Sequence, residues 1–202
     1  MRFCLIFNFV PQSGTRYMIP LKEKYQKEVI PQMMEKFGYK NVMAVPKIEK
    51  VVINTGFGRQ VAGKTGEEQK KIQEAIINDL SLIAGQRAVL TRAKKAIAVF
   101  KTRQGMPIGA CCTLRGEKMY NFLARVIHLA LPRSRDFQGI EAKSVDQKGN
   151  LTFAIKEQIA FPEISPEKTK MLFSFEITVV TNAKNREQGL GLLRLMGFPI
   201  KI

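Results

Sequence analysis

Gly58-Arg59-Gln60-Val61-Ala62-Gly63-Lys64-Thr65 fits the phosphate-binding pattern G-x-x-x-x-G-K-S/T. In that role backbone N–H groups would cradle phosphates, Lys64 would reach their charge and Thr65 would hold magnesium. The segment falls between a predicted strand and a predicted helix, as the motif requires. A nucleotide hydrolase also needs a second strand ending in a magnesium-organising Asp. No apolar run here ends that way, because Asp79 falls inside a predicted helix and Asp136 follows a basic loop. A P-loop hydrolase is therefore the alternative reading rather than the leading one.

A second group carries charge without an obvious reaction. Between Asp79 and Glu117 stand Arg87, Arg92, Lys94, Lys95, Lys101, Arg103 and Arg115, with no carboxylate among them. Such a stretch repels itself unless a polyanion lies against it, and phosphate backbones reward it through counterion release. Nucleic acid is the first partner to consider. A generic RNA chaperone shares that signature and is a further alternative.

Other reactive residues are sparse. Cys4, Cys111, Cys112 and His128 give neither a disulfide framework nor paired zinc ligands, so no metal or cofactor is expected and a reducing, cytoplasmic setting follows. Cys111 and Cys112 are adjacent on a predicted strand and point to opposite faces, Cys112 with Leu114 toward the core and Cys111 with Thr113 and Arg115 toward the polar side. His128 shares a polar helix face with Lys118, Asn121 and Arg125 and reads as a surface group. No matched acid and base pair is visible, and no enzyme activity is expected.

Lys plus Arg number 33 against 17 Asp plus Glu, a net charge of +16, while 45 % hydrophobic content supports a real core and excludes a disordered basic tail. No apolar run is long enough to span a bilayer. Residues 1–17 are poorly patterned. Phe3 to Val10 is apolar but short, its flank carries the single charge of Arg2 and it lacks the cleavage site of a secretory signal, so the segment reads as an extension, mis-started or disordered, before a start at Met18. Residues 18–202 then form a single RNA-binding domain.

The elements that must position these residues follow from periodicity. Leu21 to Phe37 predicts a helix kinked at Pro31 and stopped at Gly38. Lys47 to Thr55 predicts a strand, with β-branched Val51, Val52 and Ile53. Glu67 to Ala84 predicts a helix with an acidic first turn, ended by Gly85. Short strands are expected near Ala88 to Leu90, Ala96 to Lys101 and Ala110 to Arg115. Gly116 to Leu131 predicts an amphipathic helix closed by Pro132. Leu151 to Lys156 and Phe173 to Val180 alternate with period two, the pattern of strands with one open face. Asn185, with Gln188 three residues on, begins a final helix burying Leu192, Leu195 and Met196. The sum is an α+β fold, an antiparallel sheet with helices packed on one face and the other face open for RNA.

Five ordered blocks carry a resemblance. Pro46 to Asn54, Phe100 to Gly109, Thr113-Leu114-Arg115-Gly116-Glu117, Pro132 to Gly139 and Glu157 to Ile164 are similar to signature segments of the bacterial ribosomal protein L-five family, from about Leu21 onward. The resemblance implies a structural protein of the large ribosomal subunit that binds 5S rRNA in the central protuberance. It also implies contacts with 23S rRNA, the peptidyl-site tRNA, neighbouring proteins of the protuberance and a small-subunit head protein. Carried over, the family's 5S-facing positions fall on Asn54, Gln86, Phe100 and Thr113, and from the charge pattern Arg92, Lys94, Lys95 and Arg115 are expected to neutralise 5S phosphates. Its tRNA-directed loop falls on Phe100 to Gly109, with Arg103, Gln104 and Gly105 at the contact. The family pattern does not require a G-x-x-x-x-G-K-S/T loop and has no counterpart to the segment before Met18, so 58–65 reads as a variable loop.

Overall fold

β1 (Ile48–Gly56) is the central strand of a five-stranded antiparallel sheet with order β2-β3-β1-β5-β4, completed by β2 (Val89–Arg92), β3 (Pro107–Leu114), β4 (Leu151–Ile155) and β5 (Phe175–Thr181). The computed structural model describes residues 20–64, 66–135, 137–165, 167 and 171–201, so the expectation for residues 1–17 lies outside the described residues. Period-two side-chain alternation fixes which face each residue joins. Ile53 pairs with Cys112 on one side and Ile177 on the other, and all three are buried. One residue along, Asn54 pairs with Cys111 and Glu176 on the opposite face.

The buried face is covered by helices. Residues 21–37 (α1), Gly58–Val61 (α2), Gly66–Ala84 (α3), residues 116–133 (α4) and Arg186–Met196 (α5) surround it. Ile76, Leu80 and Ile83 of α3, Phe122 and Leu123 of α4, and Leu192, Leu193 and Met196 of α5 belong to one core with Val51, Ile177 and Val179 of the sheet. Each fully buried large side chain contributes roughly 1.5–3 kcal/mol of transfer free energy. The Phe122 ring stacks on Phe161 with centroids 6.1 Å apart, and Phe161 meets Phe175 at 5.8 Å. Arg125 joins the layers: it pairs with Glu163, and its Nη2 donates to the Ile83 carbonyl at 2.9 Å, occupying an orphan acceptor at the end of α3.

Several boundaries differ from expectation, each for a local reason. Pro31 disturbs α1 without ending it, as expected, and Pro132, expected to close α4, lies within its last turn. A π-turn at Tyr25–Val29 precedes Pro31, and another at Val126–Ala130 precedes Pro132, after which α-helical turns resume at Ile30–Phe37 and Leu131–Arg133. A wider turn gives the chain a way past the carbonyl that a proline ring would otherwise strike. Gly38 does stop α1, with φ of 68° and its N–H donating to Met34 O at 2.9 Å. In α5 Leu192 and Met196 are buried as expected, but the third buried leucine is Leu193, while Leu195 is only half-buried. Asn185 caps α5 without a side-chain bond, and Gln188 instead accepts from the Lys184 N–H at 3.3 Å.

The largest correction concerns Ala96 to Lys101, which forms no strand. Residues 93–106 make an arm between β2 and β3, closed at its base by Ala93 N–H to Met106 O at 2.8 Å and further out by a single bridge between Ile97 and Thr102. Lys101 turns the arm over with φ of 51°, the one non-glycine in the left-handed region among the described residues. Pro107, Ile108 and Gly109, expected in the loop, already belong to β3.

Candidate nucleic-acid interface

The open sheet face reads as cross-strand rows. One runs Val89, Cys111, Asn54, Glu176, Ala154 from β2 to β4, and the next runs Thr113, Val52, Thr178, Thr152. Asn54 is exposed, and its side chain makes no hydrogen bond among the described residues. Thr113 is its diagonal neighbour on the same face, two residues along β3 from Cys111 and roughly 7–8 Å away at ordinary sheet geometry. Gln86 is brought to the same place from the end of α3: its Nε2 donates to the Thr113 carbonyl at 3.4 Å, and its own carbonyl lies 3.8 Å from the buried Cys112 thiol. Burial pushes that thiol's pKa up, which suppresses the thiolate a nucleophile would need.

Phe100 does not join this row. It sits in the turn of the arm with 63 % of its surface exposed, beside Val99 at 85 %, values that exclude a core role for either. With Lys94, Lys95 and Gly56 it lines a groove of ≈ 1140 Å³ between the arm and the segment following β1. Arg92 closes β2 opposite Pro107 across a bulge, and Arg115 stands just past β3 as the extended cap of α4. Arg103, Gln104 and Gly105 occupy the returning leg of the arm, all exposed, with Gly105 at φ of 80°.

All seven cations of the acid-free stretch are exposed, and none takes part in an ion pair among the described residues. The pairs that do form lie elsewhere, at Lys22 with Glu117, Lys27 with Glu23, Arg125 with Glu163 and Arg135 with Glu157. The arm and its flanks therefore keep their positive charge uncompensated. Glu176 is the carboxylate on the polar row, a feature that alternation alone assigned to the open face without showing that it neighbours Asn54.

The phosphate-loop pattern does not form a cradle. Its first residues coil into α2, where the N–H groups of Gln60 and Val61 donate to Phe57 O, Ala62 to Gly58 O and Lys64 to Val61 O, so these donors are already used inside the chain. Thr65 lies outside the described residues. Asp79 is half-buried on α3, and desolvation raises its pKa. Among the described residues no three His, Cys, Asp or Glu gather where a metal could sit, and no helix is long and apolar enough to cross a membrane.

Residues 41–103 match the family described as Ribosomal protein L5, and residues 107–200 match the ribosomal L5P family C-terminus. The chain belongs to the ribosomal protein L5 family. It is 52 % identical over 182 residues to the large ribosomal subunit protein uL5 of Thermoanaerobacter sp. (strain X514), covering 90 % of this chain and 98 % of that one. Against the uL5 proteins of Geotalea daltonii and Geobacter sulfurreducens it is 50 % identical over 184 residues, covering 91 % of this chain and 99 % of each relative. The chain is accordingly a structural constituent of the large ribosomal subunit. The two matched segments meet at the arm, and the single sheet draws β1 and β2 from the first and β3, β4 and β5 from the second.

Proposed function

We propose that this L5-family protein binds 5S rRNA through the open face and the arm, and that residues 18–202 act as one RNA-binding unit. The observation that carries the reading is the adjacency of an uncovered polar sheet row to seven exposed, unpaired cations. Asn54, Thr113 and Gln86 would contact exposed bases and 2′-hydroxyls, the contacts by which proteins read irregular RNA. Phe100 would stack on a base or ribose, and Arg92, Lys94, Lys95 and Arg115 would neutralise phosphates. The returning leg of the arm, Arg103 to Gly105, would reach the backbone of the peptidyl-site tRNA. Contacts with 23S rRNA and neighbouring proteins complete the assembly.

Sequencing the RNA that co-purifies with the native protein tests this directly. Enrichment of 5S rRNA is the expected result, and RNA of random composition would point to a general chaperone instead. Saturable nucleotide turnover would restore the hydrolase reading.

A further inference from the structure

The chain at Gly63 and Lys64 faces the arm across a cleft of ≈ 790 Å³. Lys64 lines it from one side, and Lys101 and Arg103 line it from the arm, with Gln69 and Gln104 adding polar groups. No carboxylate and no aromatic ring is among the described residues of its lining, since Glu67 and Glu68, although next in the chain, lie outside it. We propose that this cleft is a binding site for the phosphodiester backbone of RNA, held by Lys64 from one wall and by Lys101 and Arg103 from the other.

Three cations lining one concavity without a counter-charge favour entry of an anion. The composition of the walls then selects its kind. Without an aromatic face there is nothing on which to stack a base, and without a carboxylate there is nothing to organise magnesium, so a backbone fits where a nucleoside triphosphate does not. Lys64 stands on a fixed base, because its N–H donates to Val61 O at 3.2 Å and Gln69 Nε2 donates to its carbonyl at 2.8 Å. Less ordering is then needed when a phosphate arrives. Lys101 keeps a left-handed backbone that glycine would adopt at lower cost, so a long cation is held where the turn alone would favour a smaller residue. Lys101 and Thr102 line both this cleft and the groove beside Phe100, which gives the arm two RNA-facing flanks.

The inference rests on the reading that the arm meets RNA, and the test separates the two. The full chain is titrated with 5S rRNA over a range of KCl, and ribosomes reconstituted with each variant are titrated with tRNA over the same range. Lys64→Ala is expected to flatten the slope of log affinity against log salt by roughly 0.7–0.9 for one of these RNAs, the signature of one lost phosphate contact, while Lys64→Arg restores it. Lys101→Gly relieves the backbone and is expected to raise thermal stability yet flatten the same slope, which a purely structural role for Lys101 would not do. Unchanged slopes for both RNAs in folded Lys64→Ala protein would overturn the proposal, as would ATP binding that depends on Lys64 and competes with RNA. Should Asn54→Ala and Phe100→Ala leave 5S binding intact while Lys64→Ala alters a slope, the sheet-face assignment fails and the cleft stands.

Discussion

The sheet face around Asn54 and the arm around Phe100 are neighbours built on opposite plans. On the sheet, register sets the position of every side chain, and the backbone is packed so closely that a Cβ on Gly109 would lie 2.6 Å from Thr91 Oγ1 and 2.7 Å from the Thr55 carbonyl. On the arm, a Cβ on Gly105 would meet nothing within 4 Å, and one bridge holds the two legs beyond the base. The sheet presents mainly uncharged polar groups at fixed spacing, whereas the arm presents cations and exposed apolar surface. Fixed polar groups can discriminate one RNA shape from another, and mobile or weakly tethered cations supply affinity that is indifferent to sequence. On the proposed reading, selection rests on the polar row and on the Phe100 ring, and attraction on the cations of the arm and its flanks.

Matched glycine substitutions probe that contrast most strongly. Gly109→Ala should destabilise the fold by about 2–3 kcal/mol, the range of overpacked sites, because backbone of β1 stands in the way. Gly105→Ala should cost about 1–2 kcal/mol, the penalty for a left-handed turn residue. Denaturant unfolding of both variants measures the difference, and equal losses would mean the arm is as tightly determined as the sheet.

Next in size are the proposed base contacts. Asn54→Ala or Phe100→Ala should weaken 5S rRNA binding by roughly 1–3 kcal/mol without altering its salt slope, the scale of one polar base contact or one stack. Lys94→Ala and Lys95→Ala should do the reverse, each flattening the slope by nearly one unit while leaving discrimination between 5S and unrelated RNA intact. Filter binding across a salt series distinguishes the two behaviours, and a shared response would dissolve the division of labour.

The smallest effect is expected on the returning leg. Arg103→Ala combined with Gln104→Ala should leave 5S binding near normal and speed tRNA dissociation from reconstituted ribosomes about twofold to fivefold, the scale of exposed charge contacts. Loss of 5S binding in that variant would assign the leg to the other RNA.

What could be read in advance follows the same contrast. β1, β5 and α3 are written in local periodicity, and Asn54 and Thr113 stand out as polar residues on apolar strands. The arm imitates a strand, because Ala96 to Phe100 form a short apolar run with β-branched Ile97 and Val99, but the structure gives them no ladder partner when β3 begins only at Pro107. The two π-turns are equally hidden, since proline announces a disturbance without saying how the helix absorbs it. Gln86 joins the interface through bonds to β3, and Lys64 approaches the arm across many intervening residues. Both depend on tertiary placement that no local pattern encodes.

The pairing of β1 sets an order of events during synthesis. Ile53 needs Cys112 on one edge and Ile177 on the other, so the central strand leaves the site of synthesis long before its second neighbour exists. Until then its Val51-Val52-Ile53 segment offers an unpaired, β-prone edge, the kind that recruits foreign strands. Such distant pairing also slows folding relative to a helical protein of equal length. Asn54 and Thr113 come together once β3 pairs with β1, whereas Glu176 and Thr178 join the polar face only when β5 is made, so a truncated chain displays the cationic arm beside a polar face that is half built.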